Sequence, residues 1–117
     1  MIAHVVLFRP KADLPAAATD ALLSSLREAI ERIPGIRRAR VGRRVLVGRD
    51  YDRLMERDYP YAAVLEFDTV DDLRQYFAHE AHDAVGSAVF AAAADLLIYD
   101  YDLSDGTNGI TRLAGQT

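Results

Sequence analysis

The sequence predicts an α+β fold of one domain, in which helices cover one side of a four-stranded antiparallel sheet. Two observations support this fold class. Runs of residues with strand character recur at residues 2–9, 36–47, 59–67 and 96–103. Apolar residues at helical spacing follow the first and the third of these runs. The predicted order is therefore β-α-β-β-α-β, which is typical of ferredoxin-like folds.

The first strand and helix have clear signals. Residues 2–9 predict a strand that is buried on both faces, because the side chains on either side of it are apolar. Asp13 and Pro15 indicate a helix start, and Pro34-Gly35 ends the helix. Between them, apolar residues recur with helical spacing at Leu22, Leu26, Ala29, Ile30 and Ile33.

The middle of the chain predicts a strand pair. The second strand is expected over residues 36–47 and the third over residues 59–67, where apolar residues alternate. The polar residues 48–58 predict a long, mobile hairpin loop between the two strands.

A second helical region follows the third strand. Thr69 is a good N-cap, and Asp72 three residues later imitates a capping box. An apolar stripe follows, and a further helical segment is expected near residues 81–94, before the last strand at residues 96–103. Residues 104–117 are polar and rich in glycine and threonine, which predicts a flexible tail after a domain of residues 1–103.

Composition restricts the function classes. The chain has 117 residues, a net charge of −4 and no cysteine, which excludes disulfides and thiolate catalysis. No apolar run approaches the roughly 20 residues that span a bilayer, and residues 1–8 lack the basic segment of a signal peptide. We therefore expect a cytoplasmic protein with neither a membrane nor a nucleic acid as partner.

Six arginines cluster in and after the second predicted strand: Arg37, Arg38, Arg40, Arg43, Arg44 and Arg49. They fit either a charged sheet edge that prevents aggregation or an anion-binding stripe, and the first interpretation is favoured. No aromatic residue lies among them, so a base-stacking surface for nucleic acid is not expected.

The predicted sheet has a second apolar face. Strands 1 and 3 carry apolar or aromatic side chains on both sides, and no element of the chain remains to cover the side away from the helices. A second copy would cover it. The sequence therefore predicts a homodimer with its two sheets packed face to face.

The chain contains three histidines. His4 lies in an apolar strand, where an unpaired imidazole would cost about 1–3 kcal/mol, so it needs a polar partner. His79 and His82 form an H-x-x-H pair, one residue short of the zinc spacing H-E-x-x-H. We expect neither a metal nor a cofactor, and we expect His79 to lie in solvent at a bend between two helical segments.

Several segments together resemble the stress-responsive dimeric α/β-barrel (Dabb) family. The resemblance covers about residues 1–103 and rests on residues 1–9, Ile33-Pro34-Gly35-Ile36, residues 61–67, the helix segment 76–82 and residues 97–101. The family commonly has proline where this chain has Glu80. The resemblance implies a dimeric barrel with a cavity between helices and sheet. We expect this cavity to bind a small apolar or aromatic molecule, with Phe8, Leu26, Phe77 and Val89 as contact residues.

A plant polyketide cyclase of this family performs an aldol condensation without metal or cofactor, and it resembles this chain at His4, Tyr76 and His82. The resemblance implies His82 as general base, His4 as its partner and Tyr76 as an orienting or oxyanion group. A further tyrosine of that cyclase falls near Leu26, which cannot donate a hydrogen bond. The alternatives are a structural hydrogen bond between His4 and His82, and a small monooxygenase, since such enzymes share the barrel.

Overall fold

A computed structural model describes residues 1–115, and the predicted α+β class is confirmed. The four-stranded sheet has the order β2-β3-β1-β4, and the pairs β1–β3, β1–β4 and β2–β3 are all antiparallel. The elements are β1 Ile2–Pro10, α1 Ala16–Arg32, β2 Ile36–Arg43, α2 Tyr51–Leu54, β3 Tyr61–Phe67, α3 Val70–Ala78, α4 Glu80–Ala92, β4 Ala93–Asp102 and α5 Gly106–Gly115.

The core lies between one face of the sheet and the helices α1, α3 and α4. Phe67 of β3 is fully buried, and Leu73 and Tyr76 of α3 pack into the same cluster. In the strand register, His4 of β1 lies opposite Leu65 on one side and Asp100 on the other. Because side chains alternate along a strand, this register brings His4, Leu65 and Asp100 to the helix-covered face.

Helices α3 and α4 each begin at a side-chain cap. The Thr69 hydroxyl accepts a hydrogen bond from the backbone N–H of Asp72 at 3.1 Å, which confirms the predicted N-cap of α3. His79 lies at the bend between α3 and α4, as expected, but its side chain is only half exposed. Its Nδ1 accepts a hydrogen bond from the N–H of Ala81 at 3.0 Å and so caps α4.

The predicted boundaries of the middle strands are wrong. β2 ends at Arg43 instead of residue 47, because the backbone N–H groups of Val47, Gly48 and Arg49 donate to the carboxylate of Asp52 instead of to a strand. β3 begins at residue 61 instead of 59, directly after a proline that has no N–H to donate. The connection also contains the short helix α2 over Tyr51–Leu54.

The segment predicted as a tail without regular structure contains helix α5 over Gly106–Gly115, while residues 116–117 lie outside the described residues. Arg112 hydrogen-bonds Ser104 and pairs with Asp102 at 3.1 Å, which ties the helix to the end of β4. Ile110 and Leu113 are spaced as one helical face and are 67% and 72% exposed. Sequence analysis missed this helix because the polar composition of the segment outweighed that short apolar pair.

No element of residues 1–115 covers the other face of the sheet. Val5, Leu7 and Val64 are half buried on that face, and Tyr99 and Tyr101 of β4 are 55% and 50% exposed. The apolar second face predicted for strands 1 and 3 is therefore present. Within these residues, no helix combines the length and the apolar character needed to cross a bilayer.

Candidate functional site

A cavity of about 760 Å³ lies between the sheet and the helices α1 and α4. Its floor is formed by the helix-facing side chains of β1 and β3, and its roof by the apolar side of α1 and by α4. Small residues leave this space open, since Ala63 lies on the floor and Gly86 on the roof. Gly86 brings no side chain into the interior, so the helix does not fill the volume beneath it.

Three polar side chains line the cavity near the core: His4 from β1, Tyr76 from α3 and His82 from α4. His4 is 4% exposed and Tyr76 is 2% exposed, whereas His82 is half buried. The Tyr76 ring contacts the His82 ring edge to face and the His4 ring in a tilted orientation. The ring centroids of Tyr76 and His82 are 4.8 Å apart, and those of His4 and Tyr76 are 5.7 Å apart.

The buried His4 has a protein partner that sequence analysis missed. Its Nδ1 lies 2.6 Å from Oδ1 of Asp100, the residue opposite it in the β1–β4 pairing. A carboxylate only accepts hydrogen bonds, so Nδ1 carries the proton in this contact. Apolar neighbours showed that His4 needs a partner, but only the strand register identifies Asp100.

The structural alternative, a hydrogen bond between His4 and His82, is not found among the described residues. In the same part of the chain, neither the His82 side chain nor the Tyr76 hydroxyl forms a hydrogen bond with another protein group. Both groups line the cavity. They are therefore placed to contact a molecule inside it.

The protonation states of two of these groups follow from their surroundings. Burial lowers the pKa of the His82 imidazole, nearby His4 lowers it further, and Asp83 opposes the change. A neutral imidazole at pH 7 can accept a proton. Burial raises the pKa of the Tyr76 hydroxyl to about 12, so this group keeps its proton and can donate a hydrogen bond.

All seven sequence-predicted site residues line this one cavity. They are His4, Phe8, Leu26, Tyr76, Phe77, His82 and Val89. Phe77 packs against both histidine rings, with centroid distances of 5.3 Å to His4 and 5.2 Å to His82. His79 does not line the cavity, because its ring is turned back to cap α4. The roles of the seven residues in binding or catalysis stay predictions.

Among residues 1–115, no group of three histidine, aspartate or glutamate side chains is arranged to hold a metal ion. The H-x-x-H pair is divided between two environments, since His79 caps a helix and His82 faces the cavity. The polar groups of the cavity surface near the core are two imidazoles and a phenol.

The family described as the stress responsive A/B barrel domain, Dabb, matches residues 2–103 of this chain. The chain belongs to the Dabb family. The match includes every residue of the polar group at the cavity and ends just before α5. The family resemblance predicted from the sequence is thus confirmed.

Solved structures extend the comparison of this Dabb chain. A dimeric protein of unknown function with a ferredoxin-like fold from Bacteroides fragilis is 28% identical, with a TM-score of 0.61 over 87% of this chain and 95% of that one. A Dabb protein from Mesorhizobium loti is 20% identical, with a TM-score of 0.68 over 89% and 97% of the two chains. The hydroxynitrile lyase from Passiflora edulis is 15% identical, with a TM-score of 0.74 over 90% and 94%.

The Mesorhizobium loti and Passiflora edulis matches are similar to this Dabb chain in fold alone. No curated protein matches the sequence.

Proposed function

We propose that this Dabb protein is a homodimer that binds a small apolar or aromatic molecule in the cavity between its helices and sheet. The observation that supports this most directly is the volume of about 760 Å³, which lies within the usual range of small-molecule sites. The walls are mostly aliphatic and aromatic, and a few polar groups converge near the core. Such a lining favours an apolar body with one or two polar atoms. The proposal includes a cytoplasmic location, which suits a chain without cysteine.

Binding is tested by filling the cavity. Gly86→Leu adds a side chain on the cavity side of α4, and Ser87→Leu adds the same side chain at an exposed position of the same helix. A thermal-shift screen of small aromatic and polyketide-like compounds should find compounds that stabilise the parent and the Ser87→Leu variant but not Gly86→Leu. Compounds that stabilise all three proteins equally would contradict binding in this cavity.

The dimer is supported by the uncovered sheet face, where Leu7, Val64 and Leu97 lie among exposed tyrosines. A groove of about 510 Å³ lies on the same face, and Leu7, Ala62 and Leu97 contribute to its lining. Two sheets stacked on this face would bury these side chains, as in other packed sheet pairs. The similar protein from Bacteroides fragilis is described as dimeric.

Light scattering at micromolar concentration should give twice the chain mass, and Val64→Asp should reduce it to the chain mass. Ala17→Asp, at an exposed position of α1 away from the sheet, should leave the dimer intact. A parent protein that elutes as a monomer would contradict the proposal.

A second candidate function is acid–base catalysis on a carbonyl compound without a cofactor. The specific observation in its favour is the Asp100–His4 contact at 2.6 Å next to a neutral His82. His82 would accept a proton from a carbon beside the carbonyl group, and the Tyr76 hydroxyl would donate a hydrogen bond to the enolate oxygen. Asp100 would hold the His4 ring, whose Nε2 completes the polar group. The monooxygenase alternative has no comparable observation to support it.

This chemistry is tested by following deuterium exchange from solvent into the methyl group of acetophenone by NMR. The parent should accelerate exchange over buffer, and His82→Ala and Tyr76→Phe should each reduce the rate at least tenfold. The matched control is His79→Asn, which removes a histidine outside the cavity and retains a capping side chain. Exchange that depends equally on His79 and His82, or that equals the rate in buffer, would contradict the catalytic candidate.

A further inference from the structure

The charged residues of the cavity have one sign. The chain as a whole is acidic, with 18 aspartates and glutamates against 14 lysines and arginines. Yet the charged side chains that line the cavity are Lys11 and Arg43, and no aspartate or glutamate from residues 1–115 lines it. An acidic protein with a cation-lined cavity favours an anionic ligand over a neutral or cationic one.

The two cations lie at the end of the cavity away from His4. Arg43 is the last residue of β2 and pairs with Tyr61, which in turn pairs with Phe8 of β1. Lys11 directly follows β1, where its backbone N–H donates to the carbonyl of Ala92 at 2.9 Å. From His4 to Phe8 the strand advances four residues, or about 13 Å at the usual rise. The polar group and the cations thus lie at opposite ends of one apolar space.

Neither cation is neutralised within the described residues. The ion pairs of residues 1–115 include the neighbouring arginines Arg37, Arg38 and Arg44, with Asp68, Glu66 and Asp58 respectively. No carboxylate among those residues lies within ion-pair distance of Lys11 or Arg43. The Arg43 guanidinium carbon lies 6.0 Å from the centroid of the Tyr61 ring, which is cation–π distance from a residue of the cavity floor. Arg43 is the last residue of its strand and also lines the groove on the other face of the sheet.

We propose that the ligand is an amphipathic anion whose charged end lies between Lys11 and Arg43 and whose apolar body extends inward toward His4. This inference rests on the proposed binding function and specifies its ligand class. Guanidinium and ammonium groups together suit a carboxylate or a phosphate monoester, which accept charge-assisted hydrogen bonds. The span of about 13 Å from His4 to Phe8 along β1 suits a medium-chain acyl group or a multi-ring aromatic body.

Calorimetric titration with three probes of one chain length tests the charge preference: decanoate, decyl phosphate and 1-decanol. At least one anion should bind tenfold or more tightly than 1-decanol. Tighter binding of decanoate would indicate a carboxylate end, and tighter binding of decyl phosphate would indicate a phosphate end. Equal binding of all three would overturn the anionic class while leaving the apolar cavity site intact. Failure of all three to bind would overturn the amphipathic-anion proposal, whereas binding in the cavity as such is decided by the thermal-shift screen with Gly86→Leu and Ser87→Leu.

Variants test the position of the charged end. Lys11→Gln combined with Arg43→Gln should weaken binding of the preferred anion at least tenfold and leave 1-decanol binding unchanged. Arg27→Gln is the matched control, because it removes an exposed charge of α1 that does not line the cavity. An equal loss in Arg27→Gln, or an equal loss for the alcohol and the anion in the double variant, would overturn the placement. Circular dichroism and thermal midpoints of all variants show whether each one is folded.

Discussion

Gly86→Ala should stabilise the protein and weaken ligand binding at the same time. Gly86 lies in the interior of α4, where alanine is favoured over glycine by about 1 kcal/mol. A Cβ added at this position would lie 3.9 Å from Cε1 of His82, an ordinary contact, and would meet no other described heavy atom within 4 Å beyond its chain neighbours and the backbone of its own helix. The methyl group therefore adds no steric cost, and the helix preference should appear in the measured stability.

The size of the effect follows from these contacts. A gain of about 1 kcal/mol in the free energy of unfolding corresponds to a rise of about 4 °C in the thermal midpoint for a chain of this length. The same methyl group projects into the cavity beside His82, so a ligand packed against this wall should lose about 1 kcal/mol, or roughly fivefold in Kd. Gly86→Ala should thus raise the stability of the fold and lower the affinity for the ligand. An interior that binds no ligand would show only a change in stability.

Differential scanning calorimetry measures the first effect, and titration with decanoate measures the second. Ser87→Ala is the matched control, because it improves helix preference at an exposed position of the same helix that does not line the cavity. It should raise the midpoint slightly and leave binding unchanged. A lower midpoint for Gly86→Ala than for the parent would mean that the space beside His82 is filled, and the reasoning from an open cavity would be refuted.

Three further predictions concern the buried polar group and the turn before β2. Asp100→Ala should reduce the free energy of unfolding by about 1–3 kcal/mol, because His4 loses its partner while it stays buried; urea denaturation measures this, and an unchanged midpoint would contradict it. Because the pKa of His82 is lower in the folded protein, the unfolded chain binds a proton at this residue first as the pH falls. The free energy of unfolding should therefore be highest above pH 6.5 and decrease from there down to the folded pKa. His82→Gln should weaken this pH dependence of the free energy of unfolding, as measured by denaturation at several pH values. Identical pH profiles for the variant and the parent would contradict the role of His82. Gly35→Ala should cost about 1–2 kcal/mol, because Gly35 has a φ of +94°; a variant as stable as the parent in urea would show that the turn can relax.

Most of the fold was predictable because it depends on local signals. The apolar alternation of β3, the Thr69 cap and the Pro34-Gly35 stop each specify structure within a few residues. Boundaries were less predictable where tertiary hydrogen bonds replaced local ones. The Asp52 carboxylate accepts hydrogen bonds from backbone N–H groups that would otherwise have continued β2. Pairing with β1 extends β4 back to Ala93, although the alanine-rich run there predicted a helix. Helix α5 was likewise not predicted, because the polar composition of its segment indicated a flexible tail.

The sequence by itself determined the element order and the doubly apolar sheet, which follow from periodicity. It also predicted seven site residues from the family resemblance, all of which line the cavity, while their roles stay predictions. Only the tertiary structure decided that His4 is paired with Asp100, that the cavity is open beside His82, and that Lys11 and Arg43 lie at its far end. These facts depend on strand register and on how closely a helix approaches a sheet. Both are set by contacts between residues far apart in the chain, which no local pattern encodes.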